Sequence, residues 1–96
     1  MTESVLKKFD MSGKTAVITG AAGLLGKQFA LALAQAGAKV VLADLNAQAA
    51  EANALWLREQ GLKAISVGVD VTDPVSVQAM VQSALEAFGS VDVLIN

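Results

Sequence analysis

Four short runs rich in β-branched residues, KTAVIT (14–19), KVVLAD (39–44), AISVGVDV (64–71) and VDVLIN (91–96), alternate with three longer stretches of helical periodicity. Few folds tolerate that alternation. Each helix-length segment must carry the chain back to start the next strand in the same direction, so a parallel sheet with right-handed crossovers is expected. KVVLAD and VDVLIN are nearly continuous in apolar character, as in strands covered on both faces. In the first helical stretch, about residues 24–36, Leu25, Phe29, Ala32, Leu33 and Ala36 fall at helical spacing and Gly37 supplies the stop. The second begins after Asn46, a good N-cap, and ends at Gly61, with Ala47, Ala50, Ala54 and Leu57 as its inward face and Trp56 beside it, half-buried. The third opens on Asp73-Pro74, an N-cap followed by proline at the first helical position. Val77, Val81, Ala84 and Phe88 form its apolar stripe, and Gly89 closes it.

Ninety-six residues allow one small domain or a piece of a larger one. At 54% hydrophobic and 17% charged, the chain is rich for its length. Small domains bury a smaller share of their surface than large ones, so this composition suggests a chain covered by more protein than it contains. Net charge is −2 with signs interspersed, and Lys7-Lys8 is the only basic pair, which argues against a nucleic-acid partner. Without cysteine there is neither a disulfide framework nor thiol chemistry, which fits a reducing compartment. Without histidine, neither a His-ligated metal site nor a Ser-His-Asp triad can be built from these residues. The opening MTESVLKKFDMSGK is a polar lead-in that lacks the apolar core of a signal peptide. No apolar run approaches the about 20 residues of a membrane helix. A cytoplasmic module without a membrane partner is the expectation. Lys14, Lys27, Lys39 and Lys63 read as solvated edge charges.

Two glycine-bearing stretches invite comparison with phosphate loops. SGKT (12–15) resembles the end of a Walker loop, but Lys8 stands where that motif needs glycine, and the strand follows instead of preceding it. It reads as a turn. TGAAGLLG (19–26) does follow a strand and open a helix, so backbone amides and the positive end of the helix dipole become available to a phosphate. In that reading Gly20 makes the turn off the strand, Gly23 lets a pyrophosphate approach the backbone, and Gly26 lets the helix lie close on the sheet. By itself the spacing also fits a structural glycine turn. Asp44 adds to it, standing 18 residues after Gly26 at the end of the second strand, close to the about 20 expected of a ribose-binding acid. A carboxylate there accepts from both adenosine ribose hydroxyls and repels a 2′-phosphate. Neither Leu45 nor Ala21 and Ala22 offers a compensating cation, so NAD is favoured over NADP. Asp70 and Val71 close the third run, where they either meet the adenine or, with Thr72, help cap the third helix. Asn96 ends the fourth run, in reach of backbone or ribose.

Together these residues resemble the short-chain dehydrogenase/reductase family over nearly the whole chain. The family's glycine loop looks like Thr19–Gly26, its cofactor-selecting acid like Asp44, and its adenine-site Asp-Val like Asp70-Val71. Its fourth strand, running into Asn-Asn-Ala-Gly, looks like VDVLIN cut at Asn96. The resemblance implies one Rossmann-type NAD-binding domain over residues 1–96, a βαβαβαβ parallel sheet of strand order 3-2-1-4. The implied cofactor-binding residues are Thr19, Gly20, Gly23, Leu24, Leu25, Gly26, Asp44, Leu45, Asp70, Val71 and Asn96. The shorter branch of the family usually has Thr-Gly-x-x-x-Gly-x-Gly, with glycine where this chain has Leu24. Glycine at 23 instead is the habit of the extended branch, whereas ADLN, VDVTDP and FGSVDVLIN side with the shorter one.

The family's catalytic serine and Tyr-x-x-x-Lys lie beyond the fourth strand, and this sequence contains no tyrosine. The expectation is therefore the NAD-binding portion of an alcohol or sugar-type dehydrogenase, inactive as it stands. Alternatives are a non-catalytic dinucleotide-binding module, the N-terminal part of an extended-branch nucleotide-sugar epimerase or dehydratase, and a methyltransferase-type domain, against which Thr19 and the loop argue. With strand order 3-2-1-4 the fourth strand becomes an apolar edge without guarding lysine or proline, so self-association through it or the less covered sheet face is expected.

Overall fold

A computed structural model describes residues 10–96, and the lead-in up to residue 9, with Lys7-Lys8, lies outside them. The described chain alternates β1 (Thr15–Thr19), α1 (Leu24–Gln35), β2 (Lys39–Asp44), α2 (Ala47–Glu59), β3 (Ala64–Gly68), α3 (Pro74–Phe88) and β4 (Val93–Ile95). The four strands form one sheet of order β3-β2-β1-β4, every pairing parallel. No described helix is long and apolar enough to cross a membrane.

The near-continuous apolar run of β2 has its physical reason in this sheet, whereas VDVLIN, expected to be covered on both faces, pairs only over Val93–Ile95 and leaves Leu94 half exposed. Alternate residues of β1 and β2 point to opposite sides. Ala16, Ile18, Val40 and Leu42 meet Ala30 and Ala34 of α1 and Ala54 and Leu57 of α2. Val17, Val41 and Ala43 meet Met80 and Ala84 of α3 on the other side. Two helices thus cover one face and a single helix the other. Each is delimited by the signals its sequence carries. Asn46 Oδ1 accepts from the Ala49 N–H at 3.1 Å, and Asp73 Oδ1 accepts from the Val75 N–H at 3.0 Å. Gly89 closes α3 in a left-handed conformation, with φ of 83°.

The structure corrects the sequence reading in several places. In α1 the buried residues are Ala30 and Ala34, while of the apolar set read at helical spacing Leu25, Phe29 and Ala32 are exposed, the first two at 82% and 47%, and Leu33 and Ala36 are half-buried. Close approach of the helix admits only small side chains directly beneath it, and Leu31 and Leu33 pack at its margins. In α2, Ala47 is exposed at the first turn, whereas Ala50, Ala54 and Leu57 are buried as expected. The third run stops pairing at Gly68 instead of 71. There Asp70 Oδ1 accepts from the Thr72 N–H at 2.9 Å and from its hydroxyl at 2.6 Å, and this local bonding turns the chain out of the ladder. Trp56 is half-buried as expected, but Lys27 is not a free edge charge: its Nζ lies 4.0 Å from the Trp56 ring centroid, tying α1 to α2.

At the opposite end of the sheet, Asp92 Oδ2 accepts from the buried Thr15 N–H at 2.8 Å and from the Ser90 hydroxyl at 3.0 Å. This joins the entrance of β4 to the start of β1 across 77 residues of sequence. The Thr15 N–H, then the Ser90 hydroxyl and the charges of Lys14 and Lys39, hold the Asp92 carboxyl below its ordinary value of 3.8. A carboxyl depressed on folding adds stability above its unfolded value and loses it as pH falls through the folded one. Asp92→Asn is expected to lower the melting temperature at neutral pH and to flatten its fall below about pH 4. Melting curves across that range check it, and an acid profile like that of the parent chain would contradict it.

Candidate functional site

The crossover sense changes on either side of β1. From β1 the chain passes by α1 to β2 on one flank, and it returns by α3 to β4 on the other. In open α/β sheets the crevice at such a reversal, beyond the carboxyl ends of the strands, is where ligands bind. Here that crevice consists of three adjoining hollows of about 430, 440 and 390 Å³, and Thr19 and Asn96 belong to all of them. The largest share of polar groups lies in the hollow bounded by Thr19, Gly20, Asp44, Leu45, Asp70, Val71 and Asn96. Leu25 and Gly26 line the hollow on the α1 side. Gly23 and Leu24 line none of the three; they stand at the start of α1, where Leu24 is 74% exposed.

Each glycine of the loop has a different geometry. Gly20 has φ of +70°, a left-handed turn off β1 that a side chain disfavours. At Gly26 an added Cβ would lie 2.7 Å from the Gly20 carbonyl oxygen and 2.8 Å from Ala21 Cα, both backbone atoms. Gly23 has φ of −82° and nothing within 4 Å of an added Cβ. Its glycine is therefore required neither by its backbone angle nor by packing. Gly23 is also the N-cap of α1, and no side chain caps that helix, whereas α2 and α3 are capped by Asn46 and Asp73. The first-turn amides of α1 are left without a side-chain acceptor, and the helix dipole adds positive potential there.

The side chains around the loop are engaged with one another. Thr19 Oγ1 lies 3.0 Å from Asn96 Oδ1 and 3.3 Å from the Ile95 carbonyl, joining the ends of β1 and β4. Asp44 Oδ2 accepts from the Ala22 N–H at 3.1 Å, and its Oδ1 accepts from the Asn46 N–H at 2.9 Å. Leu45 and Val71, 78% and 60% exposed, give the hollow an apolar rim. Asp70 lies across the same hollow, its carboxyl held below the ordinary value by the Thr72 hydroxyl and then by the Thr72 N–H. The cap of α3 is Asp73, which frees Asp70 from that role, although the Asp70 N–H donates to Ser76 Oγ at 2.9 Å.

One residue of the site went unread in the sequence. Asn53 of α2 donates its Nδ2 to the Ala21 carbonyl at 2.8 Å and the Ala22 carbonyl at 3.1 Å, with Gly23 O at 3.5 Å. Its signal was a polar side chain between Ala50 and Leu57 on a face otherwise made of buried apolar residues. A polar group in such a place requires a partner. Among the described residues no cluster of three or more His, Cys, Asp or Glu could hold a metal ion.

With this geometry in view, comparison with known proteins is specific. The family model for short chain dehydrogenase matches residues 14–96. A sorbitol dehydrogenase of Cereibacter sphaeroides is 43% identical over 86 residues, which is 90% of this chain and 32% of that protein. The crystal structure of a hydroxysteroid dehydrogenase from Escherichia coli superposes with a TM-score of 0.87 at 35% identity, covering 92% of this chain and 37% of that one. A short chain dehydrogenase/reductase from Burkholderia phymatum, crystallised in complex with NAD, superposes with a TM-score of 0.84 at 44% identity, covering 88% and 30%. The chain spans about a third of the length of the curated relatives it matches.

The loop glycines make a graded test of structure alone. Gly26→Ala is expected to destabilise by about 1–3 kcal/mol, since backbone must move. Gly20→Ala should cost about 1–2 kcal/mol through its positive φ, and Gly23→Ala, which only puts a poorer residue at the N-cap, less than about 1 kcal/mol. Thermal or urea denaturation of the three variants checks the ranking, and a Gly23 cost equal to that of Gly26 would refute it.

Proposed function

The chain belongs to the short chain dehydrogenase family, and from that premise we propose that residues 14–96 form the NAD-binding portion of an oxidoreductase acting on an alcohol or its carbonyl. The observation that carries this reading is the uncapped start of α1 beside a crevice whose far side holds Asp44. In this reading the amides of the Gly20–Gly26 loop and the first turn of α1 receive the pyrophosphate. Gly23 leaves the open space that its approach needs. Asp44 retains lone pairs beyond those engaged by Ala22 and Asn46, and these receive the adenosine ribose hydroxyls. Leu45 and Val71 flank the adenine, Asp70 meets its amino group, and Thr19 and Asn96 bound the path toward the nicotinamide side. NAD bound there supplies a hydride acceptor or donor.

Preference for NAD over NADP rests on Asp44, whose negative charge opposes a 2′-phosphate. A sugar or polyol substrate is supported by the likeness to the sorbitol dehydrogenase. With no tyrosine in the sequence, no residue of these 96 is assigned the proton transfer, and binding and orientation are the tasks proposed for them. A cytoplasmic location accompanies this reading, with the absence of cysteine as its support.

Self-association is part of the same proposal. β4 pairs with β1 alone, and its Leu94 is half exposed on the α3 side of the sheet, while Leu25 and Phe29 leave further apolar surface on the α1 side. An apolar strand edge without guarding charge invites another strand.

Calorimetry should show NAD binding at least about tenfold tighter than NADP. Gly23→Ala should lose most NAD affinity while its melting temperature stays near that of the parent, because its glycine serves only the ligand. Asp44→Ala should narrow the NAD-to-NADP ratio. Equal affinity for the two cofactors, or full NAD affinity in Gly23→Ala, would overturn the reading. Sedimentation velocity should show species larger than the 9.8 kDa monomer, growing with concentration; a sharp monomer with a cooperative melt would refute the association.

A further inference from the structure

The Ala21–Ala22 peptide is held at both ends. Its carbonyl accepts from Asn53 Nδ2 at 2.8 Å, and its N–H donates to Asp44 Oδ2 at 3.1 Å. The same Asn53 amide reaches the next carbonyl, that of Ala22, at 3.1 Å. Carbonyls only accept, so the nitrogen of Asn53 and not its oxygen must face the loop, and its two protons match the two near carbonyls. The peptide unit is planar and trans, so a carbonyl turned toward α2 places the N–H at the other end of that unit on the opposite side. The carbonyl of Ala22 points at Asn53; the N–H of Gly23 therefore points away from α2, free of that helix. Without the Asn53 amide, nothing else in the described structure donates a side-chain hydrogen bond to these two carbonyls.

We propose that Asn53 is a positioning residue for dinucleotide binding, which sets the direction of the loop amides by gripping the Ala21 and Ala22 carbonyls from behind. The proposal rests on the reading of this loop as the pyrophosphate cradle. Asp44 is thereby both a ribose acceptor and the second brace of the loop, so the adenosine and pyrophosphate subsites share one carboxylate. Asn53 touches only the loop. Its removal should disturb the pyrophosphate subsite and spare the adenosine one.

The test compares ADP with adenosine as ligands of the full chain, by calorimetry, for the parent, Asn53→Ala and Asn53→Asp. Alanine is the better helix former, so Asn53→Ala does not weaken α2 itself. Asn53→Asp keeps the shape and loses the donor at neutral pH. Both variants should bind ADP about tenfold more weakly and adenosine within about twofold of the parent. Amide hydrogen exchange, read without ligand, should quicken at Ala22 in both variants and stay unchanged in β1 and β2. Unchanged ADP affinity, or equal losses for ADP and adenosine, would overturn the role of Asn53 while leaving the cradle standing. A parent chain that binds adenosine no more weakly than ADP would overturn the cradle, and the proposal with it.

Discussion

The contact between Gly26 and the backbone of Gly20 and Ala21 governs the geometry of this molecule. A methyl group at residue 26 would fall 2.7 Å from a backbone oxygen, so the helix can begin over the end of β1 only where that methyl is missing. Close approach then dictates what lies farther along α1. Ala30 and Ala34 follow Gly26 at four-residue intervals and are buried against the sheet. The bulkier Leu25 and Phe29 are turned toward the β4 side of the crevice. The same approach brings the start of the helix to the strand ends, where its free amides and dipole have chemical use.

A loop drawn so tightly from strand to helix needs support that its own small residues cannot provide. The support comes from two neighbouring elements. Asp44, at the end of β2, takes an N–H, and Asn53, on α2, takes carbonyls. The Ala21 N–H adds a bond to the Ala43 carbonyl at 3.1 Å. Backbone polar groups removed from water must be paired, and these pairings meet that demand without using the first-turn amides of α1. The far end of the sheet is secured in a similar manner by Asp92 on the Thr15 N–H. Two carboxylates and one amide thus pin the central strand and its loop at both ends.

Much of this could be read from residue patterns because the patterns answer to local physics. Asn46 and Asp73-Pro74 are N-terminal signals whose geometry involves only the next few residues, and both helices start where expected. The apolar runs of β1 and β2 reflect burial on two faces. The failures have equally particular causes. Helical spacing grouped Leu25 and Phe29 with Ala32, Leu33 and Ala36 as the apolar stripe of α1. The Gly26 contact, which involves residues on two elements, chose the small ones instead. AISVGVDV looked like one strand to residue 71, but the Asp70 N–H donates to Ser76 Oγ and its carboxylate accepts from Thr72, and the ladder ends at Gly68. Asn53 carried a faint signal, and its partners lie 30 to 32 residues away.

The sequence by itself determined the order of elements, their caps, the parallel sheet and the position of the glycine loop between strand and helix. These follow from periodicity, turn chemistry and the short reach of capping bonds, all of which act within a few residues. Only the tertiary structure decided which side of α1 meets the sheet, and that Asp44 and Asn53 grip one peptide of the loop from opposite ends. It also decided that Gly23, alone of the three loop glycines, answers to neither a backbone angle nor a packed neighbour. Those outcomes depend on distances between segments far apart in the chain, which no local pattern encodes.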